Sequence, residues 1–205
     1  MGLFGYSAGT YAKNARRFKS EIESIMAVSG MNLPAILKPL NNAILSLSEE
    51  CTYKGDMDRK EATDLRIKGY LEKLRGAIGK GDKALAIAYS VLIGDAARIR
   101  SIGDREENAP IMALREKVVI AEQKRNVALD TMSAYAKKLE AKGIDVGTDP
   151  TFLSLSAEAR EHADEYKNLM QLLTETETRM SLRKTAEMAD STVLVDFLNE
   201  IKRDE

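Results

Sequence analysis

The chain of 205 residues carries 31 Lys and Arg against 32 Asp and Glu, with one His, one Cys and no Trp. Its 44% hydrophobic and 31% charged content excludes intrinsic disorder and indicates a folded, soluble protein with a packed core. The sequence has no run of about 18 apolar residues that would span a membrane, and a lone cysteine excludes an internal disulfide framework. We therefore expect a reducing, cytoplasmic environment.

Apolar residues recur at intervals of three and four along most of the chain, whereas alternating strand patterns are almost absent. This spacing predicts an all-α fold that opens with a bundle of four or five short helices over residues 1–103. The first helix is amphipathic, with Tyr11, Phe18 and Ile22 on one stripe. The last, from Ala84 to Ile102, has apolar residues on every side, so we expect it at the centre of the bundle.

Breaks between these helices follow from turn and capping residues. Pro39 interrupts the second helix and predicts a kink or a delayed start. Leu65, Leu71 and Leu74 mark the apolar stripe of a third helix. The segment Gly79-Lys80-Gly81 is expected to close that helix and Asp82 to cap the fourth.

Two long heptad patterns dominate the second half and predict an antiparallel helical hairpin. The first stripe consists of Ile111, Leu114, Val118, Ala121, Arg125, Ala128, Met132, Tyr135 and Leu139. The second consists of Phe152, Leu155, Ala159, His162, Tyr166, Leu169, Leu173, Thr176 and Met180. A glycine-containing loop joins them, and Asp149 followed by Pro150 predicts the start of the second helix.

A short C-terminal helix should follow the hairpin, capped by Asp190 and Ser191. Residues 104–205 would then form the hairpin with this helix as a second unit. The alternative is that both halves belong to one elongated domain.

One segment matches a catalytic motif, since Gly5 to Gly9 reads G-x-S-x-G around Ser7. Only six residues precede Ser7, too few for the strands of a hydrolase, and His162 stands on a heptad position of a long helix. One His and a distant Cys51 also do not meet the ligand needs of a zinc site. We therefore predict no enzymatic activity, no cofactor and no metal, with His162 as a half-buried residue of the helix seam.

Arg125 is a cation within an otherwise apolar stripe. Either its side chain reaches solvent from a narrow seam, or an acid on the facing helix, Glu161 or Glu165, pairs with it and fixes the register.

Charge is distributed unevenly, with a net charge of +5 on residues 1–100 and −6 on residues 101–205. Such halves attract each other within one chain or between copies, or direct the basic half to an anionic surface. Nucleic acid is disfavoured, because acids dilute the basic residues everywhere except near Lys13 to Lys19. This basic helix follows an apolar start, which gives seven candidate membrane-contact residues: Leu3, Phe4, Tyr6, Lys13, Arg16, Arg17 and Lys19.

The opening Met1 to Gly5 resembles the start of some membrane-remodelling ESCRT-III subunits, which also combine a basic front with an acidic rear. That family has a long basic hairpin in its first hundred residues. Here Pro34, Pro39 and several glycines interrupt this region, so the resemblance implies only membrane remodelling as an alternative function.

Several apolar residues lie off the two heptad stripes and predict a second face of the hairpin. They are Ile120, Val127, Leu153, Met170 and Leu172. Such a face would cover the N-terminal bundle, a protein partner or another copy. The sequence therefore predicts a non-enzymatic scaffold or adaptor that binds a protein partner or itself, and the alternative is a peripheral protein on an anionic membrane.

Overall fold

The computed structural model describes residues 7–28, 33–48, 57–102 and 109–201, with the backbone only for residues 8, 28, 57–59, 102, 109–110 and 183–201. All regular structure within these ranges is helical, which confirms the all-α prediction. The helices are α1 (Ala8–Val28), α2 (Pro34–Ser48), α3 (Met57–Gly79), α4 (Lys83–Ile102), α5 (Ala109–Glu140) and α6 (Pro150–Ile201). Helices α1–α4 form the predicted bundle, and α5 and α6 form the long pair.

Helix α4 lies at the centre of the molecule, as its apolar composition predicts, and it packs against α2, α3 and α5. Its approach to α2 is close because Gly94 lacks a side chain: a Cβ there would lie 3.1 Å from the carbonyl oxygen of Pro39. Pro39 lies inside α2 and does not delay its start. The glycine thus lets the two helices share one core.

The apolar stripe of α1 is buried in this core. Tyr11, Phe18, Ile22 and Ile25 are all buried, and Phe18 and Ile22 have no exposed surface. The predicted amphipathic helix is therefore confirmed, and its apolar side is covered by the bundle.

A buried ion pair fastens α1 to α3 and α4. Arg100 Nε donates to Asp64 Oδ1 at 2.6 Å, and each side chain is only 4% exposed. The guanidinium also stacks on the Tyr11 ring, with Cζ 3.4 Å from its centroid, while the Tyr11 hydroxyl donates to the Arg100 carbonyl at 2.6 Å. Asn14 Nδ2 donates to the second carboxylate oxygen at 2.8 Å. Three helices are therefore joined by charge-assisted hydrogen bonds away from water.

The ends of the central helices follow the predicted chemistry. Gly81 closes α3 in the left-handed region at φ +69°, which glycine adopts without strain. Asp82 caps α4 by accepting the backbone N–H of Leu85 at 3.0 Å, and Asp149 caps α6 by accepting that of Phe152 at 2.9 Å.

The apolar stripe predicted for α3 is wrong in one position. Leu65 is 61% exposed, and Ile67 is fully buried in the core instead. Asp64 faces the interior of the bundle because it pairs with Arg100. Leu65, the next residue along the helix, therefore points to solvent.

Helix α5 lies between the bundle and α6. Its Val119, Ile120 and Val127 pack against the bundle core, while Val118, Ala121 and other members of its heptad stripe face α6. Helix α6 contacts α5 and the short 3₁₀ turn at Val146–Thr148 among the described elements. The order of layers is therefore bundle, α5, α6.

The predicted separate C-terminal helix is wrong, because α6 continues through Asp190 and Ser191 as one helix of 52 residues. These two residue types favour caps but cost less than about 1 kcal/mol each inside a helix. No glycine or proline occurs after Pro150 within α6, so nothing stops the helix.

Candidate functional site

The cations predicted for membrane contact lie on the outer side of α1. Lys13, Arg16 and Arg17 are exposed, and Arg17 lies 3.6 Å from Glu21 in an exposed pair one turn along the helix. Lys19 is half-buried, with Nζ 3.4 Å from Ser48 Oγ on α2. The outward surface of α1 formed by Lys13, Arg16 and Arg17 is called here the basic α1 face.

This face has no apolar surface of its own to insert into lipid, since the apolar stripe of α1 is in the core. Leu3, Phe4 and Tyr6 lie outside the described residues. A membrane contact through α1 would therefore be electrostatic.

The five residues predicted for a second hairpin face are not brought together. Ile120 and Val127 pack on the bundle core, which is one of the three occupants that the sequence leaves open. Met170 is half-buried, whereas Leu153 and Leu172 are 52% and 49% exposed on α6. Two of the five residues thus contact the bundle, and a partner-binding face formed by the other three stays a prediction.

Helix α5 meets α6 in an antiparallel register that two side-chain contacts define. Arg115 donates to Glu177 Oε1 from both Nε and Nη2, at 3.1 Å and 2.7 Å. Farther along, the Arg125 guanidinium lies 4.2 Å from the centroid of the Tyr166 ring. Both contacts place residue 183 of α6 opposite Ala109, the first residue of α5.

The register contact predicted for Arg125 differs from the one observed. Its guanidinium donates to Asn126 Oδ1 at 3.2 Å and 2.9 Å and stacks on Tyr166, and it forms no ion pair with Glu161 or Glu165. A half-buried cation in a narrow seam is satisfied by a neighbouring amide and a ring face without bringing a second charge into the seam.

Helix α6 extends well beyond its partner. It has 52 residues against 32 in α5. In the register above, roughly 18 residues of α6, or about 27 Å of helix, lie past the first residue of α5. We call residues 184–201 the α6 extension. Sequence periodicity missed it, because the capping residue types at 190 and 191 suggested a break.

His162 lies half-buried in the seam, as predicted, with 23% of its side chain exposed. Its nitrogens lie 3.9 Å from Glu158 and 3.6 Å from Glu165, and Nδ1 is buried without a hydrogen-bond partner among the described residues. A cleft of about 280 Å³ opens beside it, lined also by Asp82 and Lys124. This cleft brings together one imidazole and ordinary surface charges, but no nucleophile with an oriented base.

Ser7 of the G-x-S-x-G segment has a structural role. Its hydroxyl oxygen accepts the backbone N–H of Thr10 at 3.2 Å, which makes it the N-terminal cap of α1. The serine thus begins a helix.

A second cleft, of about 320 Å³, separates α3 from α5. Lys73 Nζ lies in it at 2.6 Å from Glu116 Oε1. The hydrogen bond to this carboxylate raises the pKa of Lys73, because it favours the charged amine. The cation is already matched by a carboxylate, so the cleft fastens α5 to the bundle and offers no unpaired charge to a ligand.

Within the described ranges, no cluster of three His, Cys, Asp or Glu side chains is arranged to hold a metal ion. No helix in the same ranges is long and apolar enough to cross a membrane. Comparison with protein-family models, curated proteins and solved structures finds no significant match.

Proposed function

We propose that this protein is a non-enzymatic scaffold or adaptor that binds other proteins through the α6 extension. The observation that supports this proposal is the difference in length between α5 and α6. Most of the stability of a helix in a protein comes from packing of its amphipathic face, so an extension of this length gains stability when a partner covers it.

The sequence of the extension is suited to protein binding. Val193, Leu194, Phe197, Leu198 and Ile201 recur at helical spacing. Such a stripe is typical of an amphipathic helix that lies in an apolar groove of a partner. Phe197 would be the largest anchor, and aromatic residues often contribute most of the binding energy at such contacts.

Site-specific photo-cross-linking in cells tests this function. A photo-reactive amino acid replaces Leu198 in the extension or, as a control, the exposed Arg160 on the covered part of α6. We expect protein adducts from position 198 that disappear when Phe197→Asp is added. Equal labelling from both positions, or adducts that survive Phe197→Asp, would contradict the proposal.

A second candidate function is peripheral binding to an anionic membrane, and the observation that favours it is the basic α1 face. Each cation near an anionic leaflet contributes about 1 kcal/mol, so reversing Lys13 and Arg16 to Glu should weaken binding by roughly one to three decades. Flotation with vesicles containing phosphatidylserine measures this loss. Deletion of residues 2–7 tests whether the apolar start contributes, and flotation that is insensitive to both changes would exclude the candidate.

A further inference from the structure

We infer that the α6 extension of one copy binds the basic α1 face of a second copy, so that the chain assembles head to tail. This inference rests on the proposed function and names its partner. The extension and the basic α1 face carry opposite charges, and α1 and α6 do not contact each other among the described elements.

The extension is acidic over most of its length. Residues 184–201 contain four acids, Glu187, Asp190, Asp196 and Glu200, against one base, Lys184. The same residues carry the apolar stripe from Val193 to Ile201. An acidic amphipathic helix fits a basic surface better than an acidic or neutral one, because the opposite charges also speed the encounter.

The basic α1 face supplies the matching charge. Its three cations are exposed, and Glu21 is shared between Arg17 at 3.6 Å and Arg75 of α3 at 3.1 Å, while Glu23 is a second acid on α1. Apolar surface is also present on the helices that contact α1, since Leu45 of α2 is 64% exposed and Leu65 of α3 is 61% exposed.

The two surfaces belong to opposite layers of the molecule. Helix α1 contacts α2 and α3 and reaches α4 through the Tyr11–Arg100 hydrogen bonds, whereas α6 packs on α5 at the other side of the bundle. Within the described elements α1 and α6 make no mutual contact. Because α6 does not cover the basic α1 face among the described elements, that face is available to the extension of another copy.

Such an interface joins two different surfaces. In a pair of copies, one copy therefore still has an unoccupied α1 face and the other an unoccupied α6 extension. Head-to-tail contacts of this kind form open chains or closed rings and not simple symmetric dimers. One helix face buries less surface than a standard stable interface, so we expect a dissociation constant on the order of micromolar. Because opposite charges join the two copies, added salt should weaken the assembly.

Sedimentation velocity of the full-length chain tests this inference through a charge exchange. One variant carries Lys13→Glu, Arg16→Glu and Arg17→Glu, another carries Glu187→Lys, Asp190→Lys and Asp196→Lys, and a third combines both sets. A matched control reverses three exposed cations at the far end of the hairpin, with Lys137→Glu, Lys138→Glu and Lys142→Glu. Circular dichroism verifies that each variant keeps its helix content.

We expect the average mass of the wild type and of the control to rise with concentration up to about 100 μM, given an affinity on the order of micromolar. Each single set should be monomeric, and the combined variant should assemble again. A monomeric wild type, a fixed symmetric dimer or a combined variant that stays monomeric would overturn the inference.

Different results would overturn the proposed scaffold function and the inferred self-assembly. Cross-links from position 198 to other proteins, together with a monomeric purified chain, would overturn self-assembly and retain the scaffold. If the α1 reversals abolish flotation with anionic vesicles and leave the mass unchanged, the basic face serves a membrane and self-assembly is overturned.

Discussion

Replacing Asp64 by alanine tests how far the buried ion pair holds α1 on the bundle. The change leaves the Arg100 guanidinium, 4% exposed, without its carboxylate partner. Removing one partner of a buried pair costs about 3–5 kcal/mol, because the remaining charge stays away from water. With a urea slope of about 2 kcal/mol per M, the unfolding midpoint should fall by about 1.5–2.5 M. Far-UV circular dichroism in a urea series measures it.

The exposed pair of Asp95 and Arg98 provides a matched control on α4. Its atoms lie 3.8 Å apart and both side chains are more than half exposed, so Asp95→Ala should shift the midpoint by less than about 0.5 M. Combining Asp64→Ala with Arg100→Met removes the unpaired charge and should be more stable than Asp64→Ala alone. Equal midpoints for Asp64→Ala and Asp95→Ala would refute the reasoning.

Three further predictions concern the seam, the α2–α4 contact and the junction of α3 with α5. Leu173→Asp places a charge at a seam position that is 9% exposed and should cost several kcal/mol, whereas Leu172→Asp next to it, at 49% exposure, should leave the thermal midpoint nearly unchanged. Gly94→Leu should cost about 1–3 kcal/mol in urea unfolding by forcing α4 away from the Pro39 carbonyl, and wild-type stability would contradict that close approach. The pKa of Lys73 is raised in the folded protein, so its stabilising contribution is present below pH 10.5 and is lost as the pH rises through the raised value. Thermal unfolding between pH 9 and 11.5 should therefore decline less for Lys73→Met than for the wild type, and parallel declines would exclude this role.

The helices and most of their ends could be predicted because local chemistry decides them. Asp82 and Asp149 cap the helices that they precede, and Gly81 adopts the positive φ that a helix end requires. The stripe of Tyr11, Phe18 and Ile22 is buried because its spacing places all three on one side of α1.

Features that depend on pairing in space could not be predicted from periodicity. Asp64 and Arg100 are separated by 36 positions, and their charge alone suggests exposure. For Arg125, the sequence favoured an acid or solvent, whereas a neighbouring amide and the Tyr166 ring satisfy it. Residues off a heptad stripe, such as Ile120 and Leu172, look equivalent in the sequence, but only the layer order shows that the first is covered and the second exposed.

The α6 extension was misjudged for a related reason. Residue types that favour helix caps also occur inside helices at small cost, so Asp190 and Ser191 do not by themselves end one. The extension is recognised only when the length of α6 is compared with the length and register of α5. The candidate binding surface is therefore a property of the pair and not of either helix pattern alone.

Hydrogen exchange of residues 185–201, measured at low and high protein concentration, tests the central claim most directly. In a dilute monomer, we expect the amides of the extension to exchange rapidly, while the amides of α4 remain protected. At concentrations that favour assembly, or with a cross-linked partner bound, the account predicts slower exchange in the extension and unchanged exchange over residues 152–173. Exchange in the extension that is equally slow at every concentration would contradict the account, because the helix would then need no partner.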